Sequence, residues 1–135
     1  MSSYPCVLLF FFLLGGRMDT NNIHWMGNSA FRIEDSSMQI YIDPFKISMN
    51  IPKADVIFIT HGHYDHYSPK DIDKIQKDGT IIIAPKTVTV QFKGKIIMVE
   101  PGQSYTIGKL KVTTVPAYNI NKKFHPKENH WWDIL

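Results

Sequence analysis

The run Asp55-Val-Ile-Phe-Ile-Thr60 is apolar at four consecutive positions and leads straight into His61-Gly-His-Tyr-Asp-His66. Apolar residues without alternation are what a strand covered on both faces requires. Such a strand belongs at the centre of a layered domain, so the six residues after it sit at a central strand's carboxyl end. Three imidazoles and a carboxylate buried there without partners would be costly. Neutral imidazole and carboxylate are preferred ligands of zinc and similar divalent ions, and the cluster reads as a metal site. Gly62 is expected to let the backbone bend so that His61 and His63 converge. General acid/base work by a loop His beside an Asp, without metal, is the competing reading.

The flanks point to an α/β class. Ile23 to Met26 and Ala30 to Glu34 read as strands joined by a Gly27-Asn28-Ser29 turn. In Met38 to Asp43 the apolar residues alternate with Gln39, Tyr41 and Asp43, which predicts a half-buried strand ended by Asp43-Pro44. Ser68-Pro69 fits an N-cap followed by proline at the first helical position, and a short surface helix is expected from there towards Gly79, with Ile72 and Ile75 on one face. Thr80 to Ala84, Ile96 to Glu100, Tyr105 to Ile107 and Leu110 to Val115 follow as strands. The strand, loop, helix, strand order over 55–84 marks a layered arrangement and not a sandwich of hairpins.

A chain of 135 residues with 44% hydrophobic content builds one modest core, and 20% charged residues with an ordinary apolar share exclude the disordered and collagen-like classes. Cys6 alone permits neither an internal disulfide nor a cysteine-built zinc site. The net charge of +3 is uneven, with 8 basic and 3 acidic residues after residue 85, yet no run of like charges marks a nucleic-acid arm, and no nucleic-acid partner is expected. Residues 6–14 are continuously apolar but too short for a membrane-spanning helix, which takes about 20 residues. Residues 1–17 are expected to be an apolar extension and 18–135 the domain, with a cytoplasmic location. An export signal or a membrane-surface anchor is the alternative, although no Lys or Arg precedes the run.

The His-x-His-x-Asp-His pattern after a hydrophobic strand ending in Thr resembles the motif of the metallo-β-lactamase superfamily. Asn22 to Glu34, Ile42-Asp43-Pro44 and Val115-Pro-Ala-Tyr-Asn119 resemble the superfamily's small zinc-dependent hydrolases, a branch similar to ascorbate-phosphate lactonases and N-acyl phosphatidylethanolamine phospholipases. The resemblance covers about residues 22–132. It implies the αββα sandwich, with a site at the sandwich edge where His61 and His63 hold a first metal and Asp65 and His66 a second. A third His for the first metal is expected from a later loop. His125 is preferred over His130, which adjoins the apolar pair Trp131-Trp132 at the start of an expected strand. Tyr64 either lines the pocket or packs beside Tyr67; Asp43 either orients a ligand His or caps a turn; His24 is expected to be structural.

The resemblance further implies one or two Zn2+ ions, with Mn2+ or Fe2+ as alternatives, and a metal-bound hydroxide attacking an ester, lactone, amide or phosphodiester. Asp65 would orient that nucleophile. The family's bridging aspartate and final histidine, carried by a second β-rich half, have no counterpart in these residues. The chain is therefore expected to be a truncated member, the amino-terminal half of the sandwich only. Its uncovered apolar face would favour a homo-oligomer, and a non-catalytic metal-binding or interaction module is the alternative to a hydrolase of small molecules.

Overall fold

The structure is a computed structural model in which residues 19–88 and 92–116, with the backbone of 132–134, are described. The apolar segment 6–14, Cys6, Tyr118, His125 and His130 lie outside the described residues. The described elements are β1 (Ile23–Gly27), β2 (Ala30–Asp35), β3 (Met38–Ile42), β4 (Val56–Phe58), α1 (Pro69–Ile75), β5 (Ile81–Pro85), β6 (Lys95–Val99), β7 (Ser104–Ile107), β8 (Leu110–Pro116) and β9 (Trp132–Ile134). The first six strands form one sheet in sequence order, and β7, β8 and β9 form a second. Hairpins make β1, β2 and β3 antiparallel, whereas β3, β4, β5 and β6 run parallel. No helix among the described residues is long and apolar enough to cross a membrane.

The central position expected for Asp55 to Thr60 is where β4 lies, between β3 and β5. Successive side chains of a strand point to opposite faces, and β4 uses both. Val56 and Phe58 enter a core with Ile33, Ile40, Ile42, Ile83, Val99, Ile107, Leu110 and Val112. Ile57 and Ile59 enter another with Tyr41, Ile72, Ile75, Ile82 and Ala84, beneath α1. The first core lies between the two sheets, so the apolar face expected to stand open is packed against β7 and β8.

Two expectations about elements need correction. β3 is not half-buried: Ile40, Tyr41 and Ile42 are all buried. Tyr41 can occupy the helix-side core because its hydroxyl donates to the Pro52 carbonyl at 2.6 Å, and burial pushes the phenol up to about 12. The helix α1 stops at Ile75 and does not reach Gly79. Its C-cap, Gln76, turns to extended backbone while its amide still donates to the Ile72 carbonyl.

Polar contacts at the start of β4 fix it against β3. The Asp55 amide donates to the Gln39 carbonyl at 2.8 Å, and Asp55 Oδ2 accepts the Gln39 amide at 2.7 Å. A second set ties the loop after β3 to α1. Asp71 accepts from the Lys46 amide (2.9 Å), the Ser68 hydroxyl (2.7 Å) and Lys74 Nζ (2.7 Å), and Lys74 also donates to the Ile47 carbonyl (2.9 Å). Burial pushes the Asp71 carboxyl up, but Lys74, Ser68 and the Lys46 amide together hold it below its ordinary value.

Because that carboxyl is depressed in the folded state, its stabilisation is present above the unfolded value and is lost as pH falls through the folded one. Asp71→Asn should cost about 1.5–3 kcal/mol at pH 7. In urea denaturation, the gap from the parent should narrow steadily below about pH 4. A second prediction concerns close approach: a Cβ at Gly94 would sit 2.3 Å from the Thr80 carbonyl oxygen. Gly94→Ala should lower stability by about 1–3 kcal/mol in the same assay, since backbone must shift to admit it.

Candidate metal centre

The loop 61–66 leaves the carboxyl end of β4 beside the end of β3, where Asp43 waits. Asp43 adopts φ +43, a left-handed conformation that Asp tolerates better than most residues and that aims its carboxylate across the strand ends. It is 2% exposed. Oδ1 accepts the Thr60 amide at 2.8 Å, and Oδ2 accepts the Thr60 hydroxyl at 2.6 Å. His66 Nδ1 lies 2.6 Å from Oδ2. Burial pushes this carboxyl up, against the opposing pull of His66 and Thr60. Of the two roles open to Asp43, orienting a histidine is the one its geometry performs.

The hydrogen bonds also set the imidazole tautomers. Thr60 gives its only hydroxyl proton to Asp43, so at its 3.0 Å contact with His61 Nδ1 the oxygen accepts and the ring donates. His61 then presents a lone pair at Nε2, which faces His63 Nδ1 at 3.2 Å. The His61 ring centroid is 4.7 Å from that of His63 and 4.0 Å from that of His66. With Nδ1 donating to Asp43, His66 presents Nε2, 3.9 Å from Asp65 Oδ2.

The four residues expected from the motif, His61, His63, Asp65 and His66, are thus brought together at one strand end. They form two limbs, His61 with His63 and His66 with Asp65. Among the described residues no group of three His, Cys, Asp or Glu is already arranged to hold an ion. The expected third ligand, His125, lies outside the described residues. His24 is on β1 opposite Arg32, with Nε2 3.6 Å from Glu34, and takes no part in the cluster. Tyr64 is 80% exposed with its ring edge-on to Phe45 at 5.9 Å, so it stands at the rim instead of packing on Tyr67.

The chain bends at Gly62 and His63 as expected, bringing the His61 and His63 rings together, but the bend does not require a glycine. Its φ is not positive, and a Cβ there would meet only Val88 Cγ2, at an ordinary 3.7 Å. Within that bend the His61 ring is held at Nδ1 by Thr60 and faces His63 through Nε2. Two residues of the site carried no such expectation: Thr60, whose signal was its place directly before the motif, and Asn28, whose amide reaches Asp65 from the β1–β2 turn. Thr60→Val keeps the shape but removes the hydroxyl shared by Asp43 and His61, and should cost about 1–3 kcal/mol in chemical denaturation.

Comparison with known proteins gives a family and several relatives. The model of the beta-lactamase superfamily domain matches residues 22–134. A UPF0173 protein of Pyrococcus furiosus is 33% identical over 96 residues, covering 67% of this chain and 45% of that protein. A UPF0173 metal-dependent hydrolase of Bacillus subtilis is 31% identical over 104 residues, with the same coverage of 67% and 45%. The chain therefore spans about half the length of the curated relatives it matches. Among solved structures, one described as a metal-dependent hydrolase from Parabacteroides distasonis superposes with a TM-score of 0.72 at 30% identity, covering 83% of this chain and 53% of that one.

Proposed function

This chain belongs to the beta-lactamase superfamily, and on that premise we propose that it carries the metal-holding limb of a hydrolase acting on small-molecule esters, lactones, amides or phosphodiesters in the cytoplasm. One observation carries the reading. A tetrahedral ion with ligands at about 2.0–2.1 Å places two imidazole nitrogens roughly 3.3 Å apart. His61 Nε2 and His63 Nδ1 are 3.2 Å apart, and Thr60 leaves His61 Nε2 with the lone pair a ligand needs.

In this reading His61 and His63 hold a first ion, with His125 as third ligand, and His66 and Asp65 hold a second. Zinc suits the imidazole and carboxylate donors, with Mn2+ and Fe2+ as the competing ions. A divalent ion bound here supplies Lewis acidity and lowers the pKa of water towards neutrality. The remaining work falls to side chains. Asp65, whose side chain is 32% exposed, accepts a hydrogen bond from the attacking water and turns it towards the substrate. Asp43 keeps His66 facing Asp65, Thr60 keeps His61 in its tautomer, and Tyr64 forms part of the rim that the substrate meets. A non-catalytic metal-binding module, in which the same His61, His63, Asp65 and His66 donors hold an ion without turnover, is the second reading.

The purified 135-residue chain should contain about one or two equivalents of zinc by elemental mass spectrometry. The His61→Ala/His63→Ala variant should lose most of that metal. Folded wild-type protein without metal, or a double variant that keeps it, would sink the assignment. Metal retained without hydrolysis of p-nitrophenyl esters or bis(p-nitrophenyl) phosphate would favour the binding-module reading.

A further inference from the structure

Asp43 orients His66, but nothing within the loop 61–66 does the same for Asp65. Its side chain is partly exposed, and His66 Nε2 is as far as 3.9 Å away. The partner comes from 37 residues earlier in the chain. Asn28, in the β1–β2 turn, directs its side-chain amide at both oxygens it can reach on Asp65: Nδ2 lies 3.3 Å from the Asp65 carbonyl and 3.5 Å from Oδ2.

The turn is itself braced. Trp25 Nε1 donates to the Asn28 carbonyl at 2.9 Å, although the Trp25 side chain is left 69% exposed. The pairing of β1 with β2 also shifts register between Trp25 and Gly27, the kind of irregularity that re-aims a side chain. Asn28 sits at φ +50, where glycine would be easier. An asparagine there brings a donor that glycine lacks. The donor is also neutral, so it can hold a carboxylate without opposing a cation, as Lys or Arg in its place would.

We propose that Asn28 is a positioning residue for Asp65, and that the Trp25–Asn28 turn is the latch that fixes the second limb of the site. The inference rests on the reading of Asp65 as a metal-holding group. It adds a contribution from the far edge of the sheet to a site built at its centre.

The test uses the full chain with Asn28→Gly, which suits the turn's backbone and removes only the amide. Zinc affinity, measured against a competing chelator, should fall by about 10–100-fold while the thermal midpoint is held. A residue serving only the turn would leave the affinity unchanged in that variant, and this result would overturn the inference. Asn28→Asp places a carboxylate against a carboxylate and should bind zinc no better than Asn28→Gly; tighter binding would show a ligand and not a latch. A readout without metal separates the failure of this inference from that of the metal reading. In metal-free Asn28→Gly, the His66 and Tyr67 amides, which both donate to the His63 carbonyl, should exchange with deuterium roughly two- to tenfold faster, the worth of one net hydrogen bond. Unchanged exchange overturns the latch. Faster exchange in a chain that takes up no zinc supports the latch and overturns only the metal reading.

Discussion

A carboxylate buried to the extent of Asp43 needs partners for every face it presents, and the residues that satisfy it are the ones that build the site. The Thr60 amide and hydroxyl bind it from the end of β4, and His66 binds it from the loop beyond. One side chain thus joins the ends of two neighbouring parallel strands to an imidazole. Through the Thr60 hydroxyl it also determines which nitrogen of His61 carries a proton. The desolvation that makes Asp43 hard to bury is offset only when all these groups are in place, so the geometry forms together or not at all.

The sheet explains why this happens at a strand end. β4 is clamped between two cores, one shared with β7 and β8 and one beneath α1. Residues leaving its carboxyl end therefore begin from a fixed point, and open α/β sheets place ligand sites at such ends. The loop after β3 is secured separately by Asp71 and Lys74 of α1. Phe45 in that loop is thereby set against Tyr64 at the rim.

The central strand, both hairpin arms and the His61, His63, Asp65 and His66 cluster were legible because each depends on local pattern: unbroken apolar residues, turn chemistry, or ligand types at close spacing. What was not legible depends on contacts distant in sequence. Met38 to Asp43 alternates as a half-buried strand does, yet Tyr41 is buried because Pro52 supplies an acceptor for its hydroxyl. Thr60 looked like the last residue of a strand, and its role exists only because Asp43 faces it across a parallel pairing. Gly62 sits at the bend that its place in the motif suggested, yet the space around it would admit a side chain, so the bend was legible and the need for glycine was not. Asn28 carried only the signature of a turn, since nothing local announces that the next loop to reach it contains Asp65.

The even burial of β4 has a consequence for how the chain finds its pairing. Val56 and Phe58 face one core and Ile57 and Ile59 the other, so a slip by one residue would interchange two apolar sets of similar size. Hydrophobicity alone barely separates the two alignments, although register is normally specified by that contrast. The degeneracy is broken at the ends, by Asp55 against Gln39 and by Thr60 against Asp43. The polar groups that shape the site are therefore also the alignment marks of the central strand, and a lineage that discarded the chemistry would still have reason to keep them.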